Sequence, residues 1–131
     1  MRKLKNSHFS FEDLDVWNKA VEFADVVLGV VDELNTDRKH YRLIEQLESS
    51  ATSVAMNIAE GKGRFSKKEF IQYLYIARGS LFETITLMEI LKRRNWIDQN
   101  KYSSIRSMGN DIGKMISGLI SSIKHSGLKK T

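Results

Sequence analysis

Apolar residues recur at three- and four-residue steps in four separate runs, the spacing of one face of an α-helix. In the first run Leu14, Trp17, Val21, Ala24, Leu28 and Val31 form one stripe. Val16, Ala20, Phe23, Val27, Val30 and Leu34 form a second stripe beside it. The second run carries Leu43, Leu47, Ala51 (or Ser50), Val54 and Ile58. The third runs Phe70, Leu74, Ala77, Leu81, Thr84, Met88, Leu91, and the fourth Tyr102, Ile105, Ile112, Ile116, Leu119, Ile123. One stripe suffices to pack a helix inside a bundle. The doubled face of helix 1 therefore predicts a partner surface, with Val16, Phe23, Val27 and Val30 as contacts between copies of the chain.

Local signals set the boundaries. Ser10 is placed to cap helix 1, with Glu12 and Asp13 at the positive end of the helix dipole. Helix 2 is expected from about Asp37 to Glu60, its small-residue centre "SSATSVA" allowing another helix to approach closely. Helix 3 opens on a capping box, "SKKE" at Ser66–Glu69, flanked by Phe65 and Phe70 at the positions of a hydrophobic staple. Gly79-Ser80 within it should mark a close helix contact. Helix 4 starts after Asp98, and Gly127 is its stop signal. Short connections then predict an all-α protein, an up-down-up-down antiparallel four-helix bundle. Its domain spans residues 10–126, between basic tails at 1–9 and 127–131. A chain of 131 residues without Pro and with few Gly fits one such domain and excludes turn-rich β folds.

Charge sharpens the picture by its placement. In such a bundle the start of helix 1, the helix 2–helix 3 turn and the end of helix 4 share one pole. That pole collects Arg2, Lys3, Lys5, Lys62, Arg64, Lys67, Lys68, Lys124, Lys129 and Lys130, ten of the 21 basic residues in a chain of net charge +5. Helix 1 is acidic, with seven carboxylates against Lys19. Lys67 and Lys68 occupy the first turn of helix 3, where positive charge is unfavourable by ~0.3–1 kcal/mol each. An anion bound there would explain them, with Gly61 and Gly63 letting backbone come near. Solvated lysines balanced by Glu60 and Glu69 would explain them equally well.

Most catalytic chemistry is missing. "EGKGRFS" has neither the spacing nor the preceding strand of a nucleotide-binding P-loop. His8, His40 and His125 are scattered, and Asp37-x-x-His40 is the nearest approach to the Glu-x-x-His pairs of a di-iron bundle. With no Cys there is no disulfide, thiolate nucleophile or thiolate metal ligand. Asn57 fits a buried amide closing helix 2, and Glu60 a partner for Arg64 or Arg78. The N-terminus "MRKLKNSHF" lacks the apolar stretch of a signal peptide, and no run approaches the ~20 apolar residues of a membrane span. The expectation is a cytoplasmic, non-enzymatic protein with no cofactor, metal or small-molecule substrate.

"FEDLDVWNKA" (Phe11–Ala20), "LIEQLESSATSVAMNIAEGKGR" (Leu43–Arg64) and "EFIQYLYIARGSLFE" (Glu69–Glu83) resemble the four-helix-bundle proteins encoded within intervening sequences of bacterial 23S ribosomal RNA genes. The ordered combination F-x-D-L-x-V-W, Q-L, N-I-A-E-G-x-G-R and I-A-x-G-S carries the resemblance. Two prolines frequent in that family are absent here, one replaced by Ala55 before the N-I-A-E-G motif and one from the turn after helix 1. The resemblance implies a bacterial, cytoplasmic bundle that assembles as a ring, a pentamer. A related bundle, the accessory protein of diversity-generating retroelements, is basic and works with a reverse transcriptase and nucleic acid.

Two functions follow as expectations. In the first, the oligomer binds structured RNA or DNA through Lys62, Arg64, Lys67 and Lys68, assisted by Arg2, Lys3 and Lys5. Phe65 and Phe70, as staple residues, would then not serve as base-stacking platforms. In the second, the chain is a protein scaffold or adaptor with no nucleic-acid role.

Overall fold

A computed structural model describes residues 8–34 and 40–130, with side chains to Ser126. A short 3-10 turn, Ser10–Asp13, leads into α1 (Asp15–Glu33), followed by α2 (Tyr41–Lys62), α3 (Lys67–Arg93) and α4 (Gln99–Lys130). No strand occurs among the described residues. Each helix packs on two others: α1 on α2 and α4, and α3 on α2 and α4. Among the described residues the backbones of the diagonal pairs do not approach closely.

Cross-helix bonds fix the directions. Thr84 on α3 meets Ser50 on α2, and Ser80 meets Ser53, so residue numbers rise along one helix as they fall along the other. Lys67 at the start of α3 reaches Ser126 near the end of α4. Lys101 at the start of α4 lies 3.6 Å from Glu33 at the end of α1. Leu14, Phe70 and Leu119 line one cleft, so the start of α1, the α2–α3 turn and the end of α4 do share an end.

The core is an inward seam from every helix, including Phe23, Leu47, Ile58, Leu74, Met88 and Ile112, all fully enclosed. Between α2 and α3 the small residues carry a hydroxyl ladder. Thr84 bonds Ser50 Oγ at 2.9 Å and the Ser80 carbonyl at 2.8 Å, and Asn57 Nδ2 donates to Ser53 at 2.8 Å. No buried side-chain polar atom among the described residues lacks a partner.

Helix 1 corrects the sequence reading twice. Ser10 does not cap it; the chain first makes the 3-10 turn, where the Phe9 amide donates to Glu12 at 2.6 Å. Asn18 then donates to the Glu12 and Leu14 carbonyls, securing the step into α1. The stripe assigned to partner contacts faces inward: Val16, Phe23, Val27 and Val30 are buried in the core. They cannot meet another chain without opening the bundle. The outer stripe, with Val21 exposed and Trp17, Leu28 and Val31 half-buried, is the one left on the surface.

Other ends follow specific chemistry. Helix α4 starts just after Asp98, as expected, and Asp98 caps it by accepting the Lys101 amide at 2.7 Å. Asn95 takes a left-handed φ of 62°, and Trp96 N–H returns to the Leu91 carbonyl at 3.0 Å, the Schellman closure of α3. Gly127 does not stop α4, which continues to Lys130. Gly79 faces open space, so the close contact in mid-α3 belongs to Ser80 alone. The expected start of helix 2 at Asp37 lies outside the described residues.

Candidate nucleic-acid interface

The turn between α2 and α3 is built around a close approach. A β-carbon on Gly61 would lie 2.7 Å from Tyr73 Cβ and 3.0 Å from Phe70 Cδ1, so only glycine fits there. Gly63 has no comparable demand: its φ is −80° and the nearest atom to an added β-carbon is 3.6 Å away. Packing therefore explains Gly61, and neither glycine is needed for an anion to approach the backbone. Ser66 then caps α3, accepting the Glu69 amide at 3.1 Å while its hydroxyl donates to the Glu69 carboxylate at 3.2 Å.

The hydrophobic staple does not form. Phe65 is 102% exposed. Phe70 packs instead beside Gly61, with the Lys62 ammonium 6.0 Å from its ring centroid. Its inner surface packs against the core. The tip of the turn thus presents a bare aromatic ring among cations.

Those cations are not equivalent. Arg64 is fixed within the chain by Glu60 at 2.7 Å and the Tyr73 hydroxyl at 2.6 Å, its guanidinium 4.8 Å from the Tyr73 ring centroid. Lys67 donates to Ser126 Oγ at 3.0 Å, tying the start of α3 to α4. Lys68 is exposed, with no hydrogen bond or ion pair to any described residue. Arg2, Lys3 and Lys5 lie outside the described residues, as do the side chains of Lys129 and Lys130. Beside the turn lies an open cleft of about 390 Å³. Apolar Leu14, Phe70, Leu119 and Ile123 line it together with Lys62 and Lys67.

The opposite end treats its positive charges differently. Glu89 binds both Lys92 at 3.2 Å and Arg93 at 2.9 Å, and Lys101 pairs with Glu33. The Tyr102 hydroxyl above all, then Arg93 and Lys92, hold the Glu89 carboxyl down at about 2. Lys92, Arg93 and Lys101 are thus answered by carboxylates of the same chain. Around the α2–α3 turn, Lys62 has an aromatic ring, and Lys124 has the Tyr75 hydroxyl at 3.2 Å. Arg64 has Glu60, while Lys68 stands exposed to an outside anion.

Among the described residues no group of His, Asp and Glu could hold a metal ion, and no helix is long and apolar enough to cross a membrane.

The molecule so defined is an all-α four-helix bundle with a positively charged turn at one end. The chain belongs to the 23S rRNA-intervening sequence protein family, whose model matches residues 12–118. It is also similar to a solved structure from Bacteroides thetaiotaomicron, a protein of unknown function from the S23 ribosomal protein family. That likeness has 30% identity and a TM-score of 0.75, over 80% of this chain and 97% of the other. No curated protein matches the chain.

Proposed function

We propose that this protein is a non-enzymatic, cytoplasmic bundle that binds structured nucleic acid, RNA in the first instance, at the α2–α3 turn. The observation that carries this reading is the pair Lys67 and Lys68 in the first turn of α3, set against the helix dipole. The dipole favours neither lysine's charge, and Lys68 makes no hydrogen bond or ion pair to a described residue. Phosphate contacts by Lys62, Lys67 and Lys68 would give affinity with little sequence choice. Arg64 supports the turn from within, so its role is to hold these lysines in place. A family named for 23S rRNA makes ribosomal RNA the first ligand to try.

The test is fluorescence anisotropy of the full chain with a structured ribosomal RNA fragment across a salt series, repeated with K67Q/K68Q. For every duplex phosphate that the variant no longer neutralises, the log–log salt slope should flatten by roughly 0.9. A double variant that binds with the wild-type slope would refute the assignment.

A second reading, a protein scaffold, is favoured by the outer stripe of α1, where Val21 is 41% exposed and Leu28 half-buried. We assign self-association of the chain to that stripe. Light scattering of V21E/L28E should report a smaller particle than wild type. An unchanged mass would move the interface elsewhere.

A further inference from the structure

We infer that the nucleic acid held at this site includes an unpaired strand, which leaves the α2–α3 turn and runs along the seam between α3 and α4. Its bases stack on Phe65, Tyr75 and Phe82. The inference rests on the proposed function and goes beyond it, because a positively charged turn alone would suit any duplex.

Three observations carry it. First, all three rings are exposed: Phe65 at 102%, Phe82 at 58% and Tyr75 at 41%. Tyr75 and Phe82 are seven residues apart, two helical turns, and so stand on the same side of α3 about 10 Å from each other.

Second, cations alternate with the rings along this edge and are held there by α4. Lys67 reaches Ser126 at 3.0 Å. Lys124 lies 5.7 Å from the Tyr75 ring centroid and donates to its hydroxyl at 3.2 Å. Arg78 sits between the two α3 rings, 4.9 Å from Tyr75 and 6.0 Å from Phe82, and is pinned by Ser117 Oγ at 3.1 Å. Aromatic platforms interleaved with backbone-tracking cations are the means by which proteins hold single strands.

Third, the seam carries little opposing charge. Beyond Asp111 the sequence contains no Asp or Glu, and between Lys67 and Phe82 there is only Glu69, which is bonded to Ser66. The α4 side offers serine hydroxyls for base edges. From Lys67 to Phe82 the track is about 22 Å long by helical rise, the length of a few extended nucleotides. A buried duplex interface would not need rings standing clear of the surface, and a protein partner would not need a border so poor in carboxylates.

The experiment titrates the full chain against labelled oligouridine of about 12 nucleotides, a fully paired hairpin RNA and phosphatidylserine vesicles. Variants are F65A, Y75A, F82A and the reporter F65W. Oligouridine is expected to bind at least as well as the hairpin. Each alanine should weaken it by roughly 5- to 100-fold with the salt slope unchanged, since no charge is removed. The introduced indole should be distinguishable from Trp17 and Trp96 as a fluorescence change on binding that wild type lacks. Circular dichroism at matched temperature verifies that the variants are folded. Alanine variants that bind oligouridine like wild type, or hairpin binding without strand binding, would overturn the seam and leave the turn. Failure of both RNAs would overturn the proposed function itself. Vesicle binding that depends on Phe65, without RNA binding, would replace both readings with a membrane surface.

Discussion

Gly61 lies against Tyr73 so closely that a β-carbon on the first would stand 2.7 Å from the β-carbon of the second. The end of α2 and the start of α3 are thereby locked side by side. G61A is expected to destabilise the fold by about 1–3 kcal/mol through overpacking. G63A, two residues on in a helical backbone where a β-carbon would make only ordinary contacts, should be neutral or stabilising by up to ~1 kcal/mol. Urea unfolding of the two variants checks the contrast, and equal midpoints would show that the close approach carries no energy.

Lys68 sets stability against binding. K68E removes a positive charge from the first turn of α3 and puts a favourable one there, so folding stability should rise by about 0.3–1 kcal/mol. RNA affinity should fall in the same variant. Thermal melts and anisotropy on one preparation measure both signs. A stabilised variant with unchanged affinity would make Lys68 an ordinary surface residue.

The Thr84–Ser50 bond lies inside the α2–α3 contact. T84V keeps the shape and removes the hydroxyl, while Ser50 retains the Leu47 carbonyl at 3.1 Å. A loss of about 1 kcal/mol is expected. S50L should lose about 1–3 kcal/mol, because the helices have no room to separate locally. Chemical denaturation distinguishes the two, and S50L as stable as T84V would show that the approach is looser than its hydroxyl ladder suggests.

Glu89 gives the fold an acid-sensitive clasp. Its carboxyl is held at about 2 against an ordinary 4.5, so the folded state binds its proton less readily than the unfolded chain does. The stabilisation is complete above pH 4.5 and is lost as the pH falls toward 2. E89Q should therefore flatten the stability profile between those values and leave its shape near neutrality unchanged. Urea midpoints at a series of acid pH values, wild type beside E89Q, would read this directly. Identical profiles would mean that the clasp contributes nothing.

Much of this was legible in the sequence, and the rest failed for identifiable reasons. Ser66 and the inward faces of α2 and α3 were readable because capping and periodicity are local; on α4 the stripe was followed to Leu119 and Ile123, where Ile120 is the enclosed residue. The choice between the two stripes of α1 was not readable. Both have the same period, and only packing against α2 and α4 decides that Phe23 turns inward and Val21 outward. Phe65 was misjudged because a staple is a contact between two side chains, and here Phe70 packs on the Gly61 side while Phe65 stands in solvent. Asn95 gave a usable signal, a short polar residue able to adopt a left-handed backbone. The seam gave none, since Tyr75 and Lys124 are 49 residues apart and meet only through the bundle.

The square arrangement of the helices has a kinetic consequence. Three of its four helix pairings join neighbours in the chain, and only α1 with α4 closes across the sequence. Such a topology has low contact order and should fold quickly. The α2–α3 hairpin, with its short turn and hydroxyl ladder, is the natural nucleus. Conservative mutations at Thr84 should then slow folding, while those at Ile112, on the closing helix, should chiefly speed unfolding. Stopped-flow chevrons for the two positions measure this partition, and the opposite pattern would place the nucleus on the α1–α4 side. On this account the turn that presents Phe65 and Lys68 to the solvent is assembled first, and the remaining helices close behind a site already in its working shape.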